Sequence, residues 1–264
     1  MKTDSDQGLI DLRDPATLRT RWPLLVAHRG GVIAANAPEN SLAAIHLAAH
    51  HGYDMVELDV RRAADGVPVL FHGLMGGNLL VDCGVQSIVE DLTGDQLAAI
   101  RYRASTECIA TLADALALCA SLGLGVMLDL KAGDPSPAFL QRIAGLLSEH
   151  NLGSATVTIT RHPLVKEHLA DQVMLPIAEE DARRVQRGDP ISLHGQFWFG
   201  WAVALPNTAV EALHRAGALV IASINSFHYP LHARHTLARQ DTRRLLAAKA
   251  DGFQIDSEFE EFFP

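Results

Sequence analysis

Short apolar runs alternate along this chain with stretches whose apolar positions recur at helical spacing. The first run, Leu24 to His28, predicts a strand. Ser41 to about His51, with Leu42, Ile45 and Leu47 on one stripe, predicts a helix. Met55 to Arg61 reads as the second strand, Asp65-Gly66 as a turn, and Val67 to His72 as a further extended piece. A helix from Thr111 to Leu122 precedes a third strand from Gly125 to Lys131, and a helix from Ala138 to His150 precedes a fourth from Thr156 to Thr160. The second half keeps the rhythm: helix Pro163 to Ala170, strand Val173 to Ile177, helix Asp181 to Gln186, strand Phe197 to Val203. Helix Asn207 to Ala216, strand Leu219 to Ile224, helix Thr242 to Ala250 and strand Gly252 to Ile255 complete it. Ser226 to Gln240, carrying His228, His232 and His235, reads as an extended loop.

Eight strands separated mostly by helices predict a parallel sheet, and right-handed crossovers close such a sheet into a single (β/α)8 TIM barrel. The rival, an open doubly wound sheet, usually has a glycine-rich turn after its first strand, and His28-Arg29-Gly30-Gly31 does not fit GxGxxG. A length of 264 residues suits one barrel, with residues 1–23 as an N-terminal extension and 24–264 as the barrel domain. At 48% hydrophobic and 20% charged, the chain can bury a sizeable core and is not expected to be disordered. The net charge of −9 disfavours a nucleic-acid partner but leaves room for a local basic pocket. Cys83, Cys108 and Cys119 form neither a CxxC pair nor a zinc pattern, and suit a reducing compartment. No apolar run is long enough to span a membrane, and Met1 to Gly8 lacks the apolar core of a secretory signal, so a cytoplasmic location is expected.

Barrel chemistry sits at the C-terminal strand ends, and side chains two apart on a strand share a face. Strand 2 therefore projects Glu57 and Asp59 together, strand 3 projects Asp129 and Lys131, and strand 1 ends in His28 and Arg29. The extended piece ends in His72 and the last strand in Asp256. Three adjacent carboxylates cannot all stay ionised without a cation, and oxygen-only ligation by Glu57, Asp59 and Asp129 points to Mg²⁺ or Ca²⁺. Arg29 and Lys131 add positive charge suited to a phosphate, and His28 and His72 are groups that can move protons near neutral pH. An ExD pair or a strand-end histidine alone means little; the convergence of seven polar groups on one mouth carries the reading. Pro38-Glu39-Asn40-Ser41 is a helix start, with Asn40 or Ser41 as cap, and it also brings Glu39 and Asn40 near the mouth.

These segments, in order and spacing, resemble the glycerophosphodiester phosphodiesterase family. The similarity lies in His28-Arg29-Gly30, Pro38-Glu39-Asn40-Ser41, Glu57-Leu58-Asp59-Val60, Asp65-Gly66-Val67-Pro68-Val69, His72, Leu128-Asp129-Leu130-Lys131 and Ala250-Asp251-Gly252-Phe253-Gln254-Ile255-Asp256. The resemblance implies a metal on Glu57, Asp59 and the strand 3 carboxylate. It also implies His28 and His72 as acid–base pair, with Arg29 and Lys131 at the phosphate. Gly73 stands where the family usually has Asp, Asp129 where it usually has Glu, and Ala222-Ser223-Ile224-Asn225 where a Trp-Thr type segment is common. His72-Gly73 and Asp129-Leu130-Lys131 are similar to the sphingomyelinase D relatives of the same barrel, whose paired cysteines are absent around Cys83.

The expected substrate is a small phosphodiester, cleaved by water or by its own neighbouring hydroxyl. The alternatives are transfer giving a cyclic phosphate, and a barrel that binds phosphate without turning it over. The half of the mouth formed by strands 6 to 8 contributes no metal ligand and carries Trp198, Trp201, Phe227 and Tyr229 beside Asn225 and Asp256, so the non-phosphate end of the substrate is expected there. Alternation sets Trp198 and Trp201 on opposite faces, so at most one faces the interior.

Overall fold

The structure is a computed structural model that describes residues 8–103, 105–131, 133 and 135–263. The polar start of the chain lies outside the described residues up to residue 7. Among the described residues nine strands form: β1 (Leu24–Ala27), β2 (Met55–Arg62), β3 (Pro68–Leu70), β4 (Gly125–Leu130), β5 (Thr156–Thr158), β6 (Leu175–Pro176), β7 (Gln196–Trp201), β8 (Leu219–Ile224) and β9 (Gly252–Ile255). Eight of them run in the order β5-β4-β2-β1-β9-β8-β7-β6, and β3 folds back antiparallel on β2. A parallel bridge between Val157 and Met174 joins the two ends, with Met174 N–H donating to Thr156 O at 2.9 Å and Thr158 N–H to Met174 O at 3.2 Å. The sheet is thereby closed, and the fold is a TIM barrel.

Burial on both faces explains why the strands are near-continuous apolar runs. Every residue of β2 from Met55 to Arg61 is buried, and the helices between strands cover the outer face. Helix ends obey local chemistry. Ser41, Thr111 and Ser136 cap the helices Leu42–His50, Leu112–Leu122 and Pro137–Glu149 with their side chains. Gly123, in the left-handed region at φ 70°, ends the second of these. Residues 8–23 pack beneath the barrel: Ile10 and Leu12 are buried in its core, and Leu12 N–H donates to Ser154 O at 2.9 Å.

Several sequence expectations need correction. His28 and Arg29 do not extend β1; they form a single 3-10 turn after Ala27. Ser226 to Gln240 is not an extended loop. It holds two short turns, Ser226–His228 and Leu231–Ala233, and a helix that starts at Arg234 and runs to Ala247. That helix is mostly polar, so its periodicity was weak, and only Ala238, Thr242 and Leu245 are buried. The expected fifth strand shrinks to Leu175–Pro176. Between β3 and the helix at Leu112 lies an excursion of short helices that the strand–helix rhythm did not reveal. It closes over its own small core of Val69, Phe71, Leu79, Val89, Leu97, Tyr102 and Ile109.

Candidate active site

Parallel register explains why the acidic residues meet. Asp59 on β2 pairs with Asp129 on β4, so two inward carboxylates sit side by side, with Glu57 one pleat below. Glu57, Asp59 and Asp129 each offer an oxygen within 4.8 Å of the others. Burial, then the charges of Asp59 and Asp129, push the Glu57 carboxyl well above its usual range. Burial also raises Asp129, against the pull of Lys131. Burial would raise Asp59 too, but Lys131, His72 and the Asn40 amide outweigh it and hold Asp59 low. Lys131 Nζ lies 2.5 Å from Asp129 Oδ2 and 3.0 Å from Asp59 Oδ1, so one ammonium partly offsets the cluster. Three converging oxygen donors with more negative charge than their neighbours neutralise fit a hard divalent cation.

The turn after β1 is shaped to serve these groups. Arg29 sits in the left-handed region at φ 55°, which aims its backbone N–H at Glu57 Oε2, 2.8 Å away. Gly30 allows Asn40 to approach: a Cβ there would lie 2.6 Å from Asn40 Cα. Asn40 is fully buried and clamps Asp59 twice, donating from Nδ2 to Oδ2 at 2.8 Å and accepting from the Asp59 N–H at 3.0 Å. Ser41, not Asn40, caps the following helix. Glu39 accepts from Arg29 Nη1 at 2.9 Å and stands 3.7 Å from His72 Nδ1. Arg29 Nε is buried and has no hydrogen-bond partner, a donor suited to an incoming anion.

The two histidines have different carboxylate neighbours, Asp256 for His28 and Glu39 for His72. His28 Nδ1 lies 2.5 Å from Asp256 Oδ1, and Asp256 Oδ2 accepts from the Ser226 N–H at 2.7 Å. Burial opposes ionisation of Asp256, but His28 and the Ser226 N–H together hold it at about 2. Burial lowers His72 to about 4, despite the attraction of Asp59. Arg61 escaped the sequence reading. It shares the inward face of β2 with Glu57 and Asp59, and its guanidinium grips the carbonyls of Phe71 and His72 at 3.0 and 2.9 Å while pairing with Glu90 at 3.0 Å. Period-two alternation was the signal that could have found it.

Of the expected aromatic wall, Trp201 and Phe227 stand at the mouth. Trp201 packs on His228 at 4.7 Å between ring centroids, and Phe227 lies 6.0 Å from His28. A cavity of about 320 Å³ lined by His28, Arg29, Ile33, Phe227, Asp256 and Glu258 opens beside them. Tyr229 does not join the wall: it is buried, and its hydroxyl donates to Asp241 at 3.0 Å. Trp198 faces outward, with Val185, Leu205 and Leu213 under the helices. Asn225 is buried and gives its amide to Gln254 at 3.0 Å.

The sequence profile of the "Glycerophosphoryl diester phosphodiesterase family" matches residues 28–175, which span β1's turn, the carboxylate cluster and both histidines. The chain belongs to that family. Among curated relatives, glycerophosphodiester phosphodiesterase 1 of Mus musculus is 30% identical over 181 residues, covering 66% of this chain and 54% of the relative. The Bos taurus protein of the same name is 38% identical over 114 residues, 40% of this chain and 33% of the relative. The chain thus matches between a third and about half of the length of these relatives. Two solved structures share the fold. A putative glycerophosphodiester phosphodiesterase from Galdieria sulphuraria superposes with a TM-score of 0.70 at 20% identity, over 90% of this chain and 95% of that one. A phosphodiesterase from Oleispira antarctica, in complex with the product sn-glycerol-3-phosphate, gives 0.69 at 19% identity, over 93% and 98%.

Proposed function

We propose that this protein is a metal-dependent phosphodiesterase that hydrolyses glycerophosphodiesters to glycerol phosphate and an alcohol. The observation that carries the reading is the meeting of Glu57, Asp59 and Asp129 within 4.8 Å at a barrel mouth that also holds two histidines. The three carboxylates would hold Mg²⁺ or Ca²⁺, which supplies positive charge where negative charge gathers on the phosphoryl oxygens. Arg29, through its unpartnered Nε, and Lys131 would bind the phosphate.

His28 and His72 form the acid–base pair in this reading. One accepts the proton of the attacking water as its oxygen bonds to phosphorus. The other donates a proton to the alkoxide as the P–O bond to the alcohol breaks. Asp256 fixes the His28 ring, Arg61 fixes the backbone of His72, and Asn40 and Glu39 hold Asp59 and Arg29. A reducing, cytoplasmic setting belongs to the same proposal and rests on the three free cysteines.

The test is incubation of metal-stripped and Mg²⁺- or Ca²⁺-loaded protein with glycerophosphocholine, followed by ³¹P NMR. Glycerol phosphate formed only with metal supports hydrolysis. A cyclic phosphate would replace it by intramolecular transfer, the reading to which Gly73 lends support as a position without a carboxylate. No product from any diester would leave a phosphate-binding barrel.

A further inference from the structure

A third histidine stands at the mouth, and the acid–base pair leaves it unused. His228 ends the short turn Ser226–His228 that follows β8. Its ring packs against Trp201, at 4.7 Å between centroids, and edge-on against Phe227, at 4.4 Å. Asn225, the residue after β8, is 2% exposed, and its N–H donates to His228 Nδ1 at 3.3 Å. A backbone N–H buried without an acceptor is costly, so this bond fixes the turn at its start. A neutral ring that accepts at Nδ1 carries its hydrogen on Nε2, which faces Ser223 Oγ at 3.5 Å. Burial lowers the imidazole below its ordinary value; Ser223 and Asp256 oppose the shift and His28 adds to it, so the balance favours the neutral ring. An imidazolium could not accept this bond, because its Nδ1–H would point at the Asn225 N–H.

The same turn makes two bonds to the inward face of β9. Asn225 Nδ2 donates to Gln254 Oε1 at 3.0 Å, and the Ser226 N–H donates to Asp256 Oδ2 at 2.7 Å. Gln254 and Asp256 are two apart, so the turn grips successive inward positions. The other oxygen of Asp256 lies 2.5 Å from His28 Nδ1. We propose that His228 is a positioning residue for His28: its Nδ1 locks the turn that aims the Ser226 N–H at Asp256, and Asp256 in turn orients the His28 ring. The proton-transfer role of His28 rests on the phosphodiesterase reading above, whereas the line of contacts from His228 to His28 stands without it. A phenyl ring would pack as well against Trp201 and Phe227, so the ring contacts alone do not call for histidine; the acceptor at Nδ1 does.

The experiment compares His228→Phe, which keeps the ring contacts and removes the acceptor, with His228→Asn, whose Oδ1 can stand in for Nδ1. In full-length wild-type protein labelled with ¹⁵N at histidine, NMR should show His228 neutral and protonated at Nε2. The His28 N–H bonded to Asp256 should give a resolved downfield proton resonance. His228→Phe should shift or broaden that resonance and lower kcat on glycerophosphocholine roughly 10-fold, with KM and Mg²⁺ affinity held within about 2-fold. His228→Asn should restore the resonance and most of kcat. A wild-type His228 protonated at Nδ1 overturns the proposal. So does a His228→Phe protein with the wild-type His28 resonance and kcat, or an equal loss in both variants, which would leave His228 a packing residue. If wild-type protein turns over no diester, the phosphodiesterase reading falls, and the two histidine signals still decide the role of His228.

Discussion

Arg61 donates to the His72 carbonyl through both Nη2, at 2.9 Å, and Nε, at 3.2 Å. A rigid guanidinium on β2, the strand that carries Glu57 and Asp59, thereby ties His72 to the carboxylate cluster. The register between histidine and cluster depends on that fork, which lysine cannot reproduce. Arg61→Lys should lower kcat by roughly 10-fold or more with KM nearly unchanged. Mg²⁺ affinity by calorimetry should stay the same. Glu90→Gln, which leaves both bonds to His72 in place, should cost little; an equal loss in both variants would show that Arg61 acts only through general stability.

Mg²⁺ should raise the melting temperature of the wild-type protein, because a cation that binds only the folded cluster stabilises it by mass action. At a concentration 100 times Kd the gain is about 2.7 kcal/mol. Asp129→Asn removes one of the cluster's three carboxylate charges and should abolish both that shift and the metal-dependent activity. An Asp129→Asn protein that still melts higher with Mg²⁺ would place the ion elsewhere.

His28→Ala and His72→Ala should each reduce turnover by about 100-fold or more, and the double variant should be little worse than either single one. Asp256→Asn should act through His28: it removes the charge that orients the ring at 2.5 Å, so kcat falls less than in His28→Ala and the pH–rate profile moves. Near-wild-type kcat in either histidine variant would clear that residue of its role.

His214 gives a stability signal away from the site. Its Nε2 lies 2.9 Å from Asp251 Oδ2, and that hydrogen bond, against partial burial, raises the imidazole above its ordinary value. The folded state therefore holds the proton more tightly than the unfolded chain. The contribution is fully present below the unfolded value and fades as pH rises through the higher folded one. The pair is partly exposed and screened, so His214→Ala should cost only about 0.5 kcal/mol at pH 5.5 in urea unfolding and less at pH 9. A larger cost at pH 9 would reverse the sign.

Gly73 stands at φ 62°, and a Cβ there would meet Phe71 Cε1 at 2.7 Å and Gly77 Cα at 3.0 Å. Gly73→Asp, which restores the residue usual in the family, should therefore destabilise the protein by about 1–3 kcal/mol without raising activity. A gain in turnover would mean that the backbone there shifts to admit a carboxylate.

Much of the protein follows from the order of its residues alone. Apolar runs buried on both faces announce parallel strands, and alternation along β2 and β4 commits Glu57, Asp59 and Asp129 to the inner face wherever those strands lie. Residue types near strand ends nominate His28, His72, Arg29 and Lys131 for the same reason. Tertiary structure decided what long-range packing governs. The register pairing Asp59 with Asp129 comes from the contact of two strands about seventy residues apart. The bond between His28 and Asp256 joins the first strand's turn to the last strand, and no local pattern encodes a contact across that separation. The excursion after β3 and the helix from Arg234 carry too little local periodicity to be read, because their apolar positions are spaced to meet neighbours rather than one continuous face. That Ile33, Val81, Val203 and Leu231 are exposed is likewise invisible in sequence, where such apolar positions look like core; only barrel closure gathers their loops at one end.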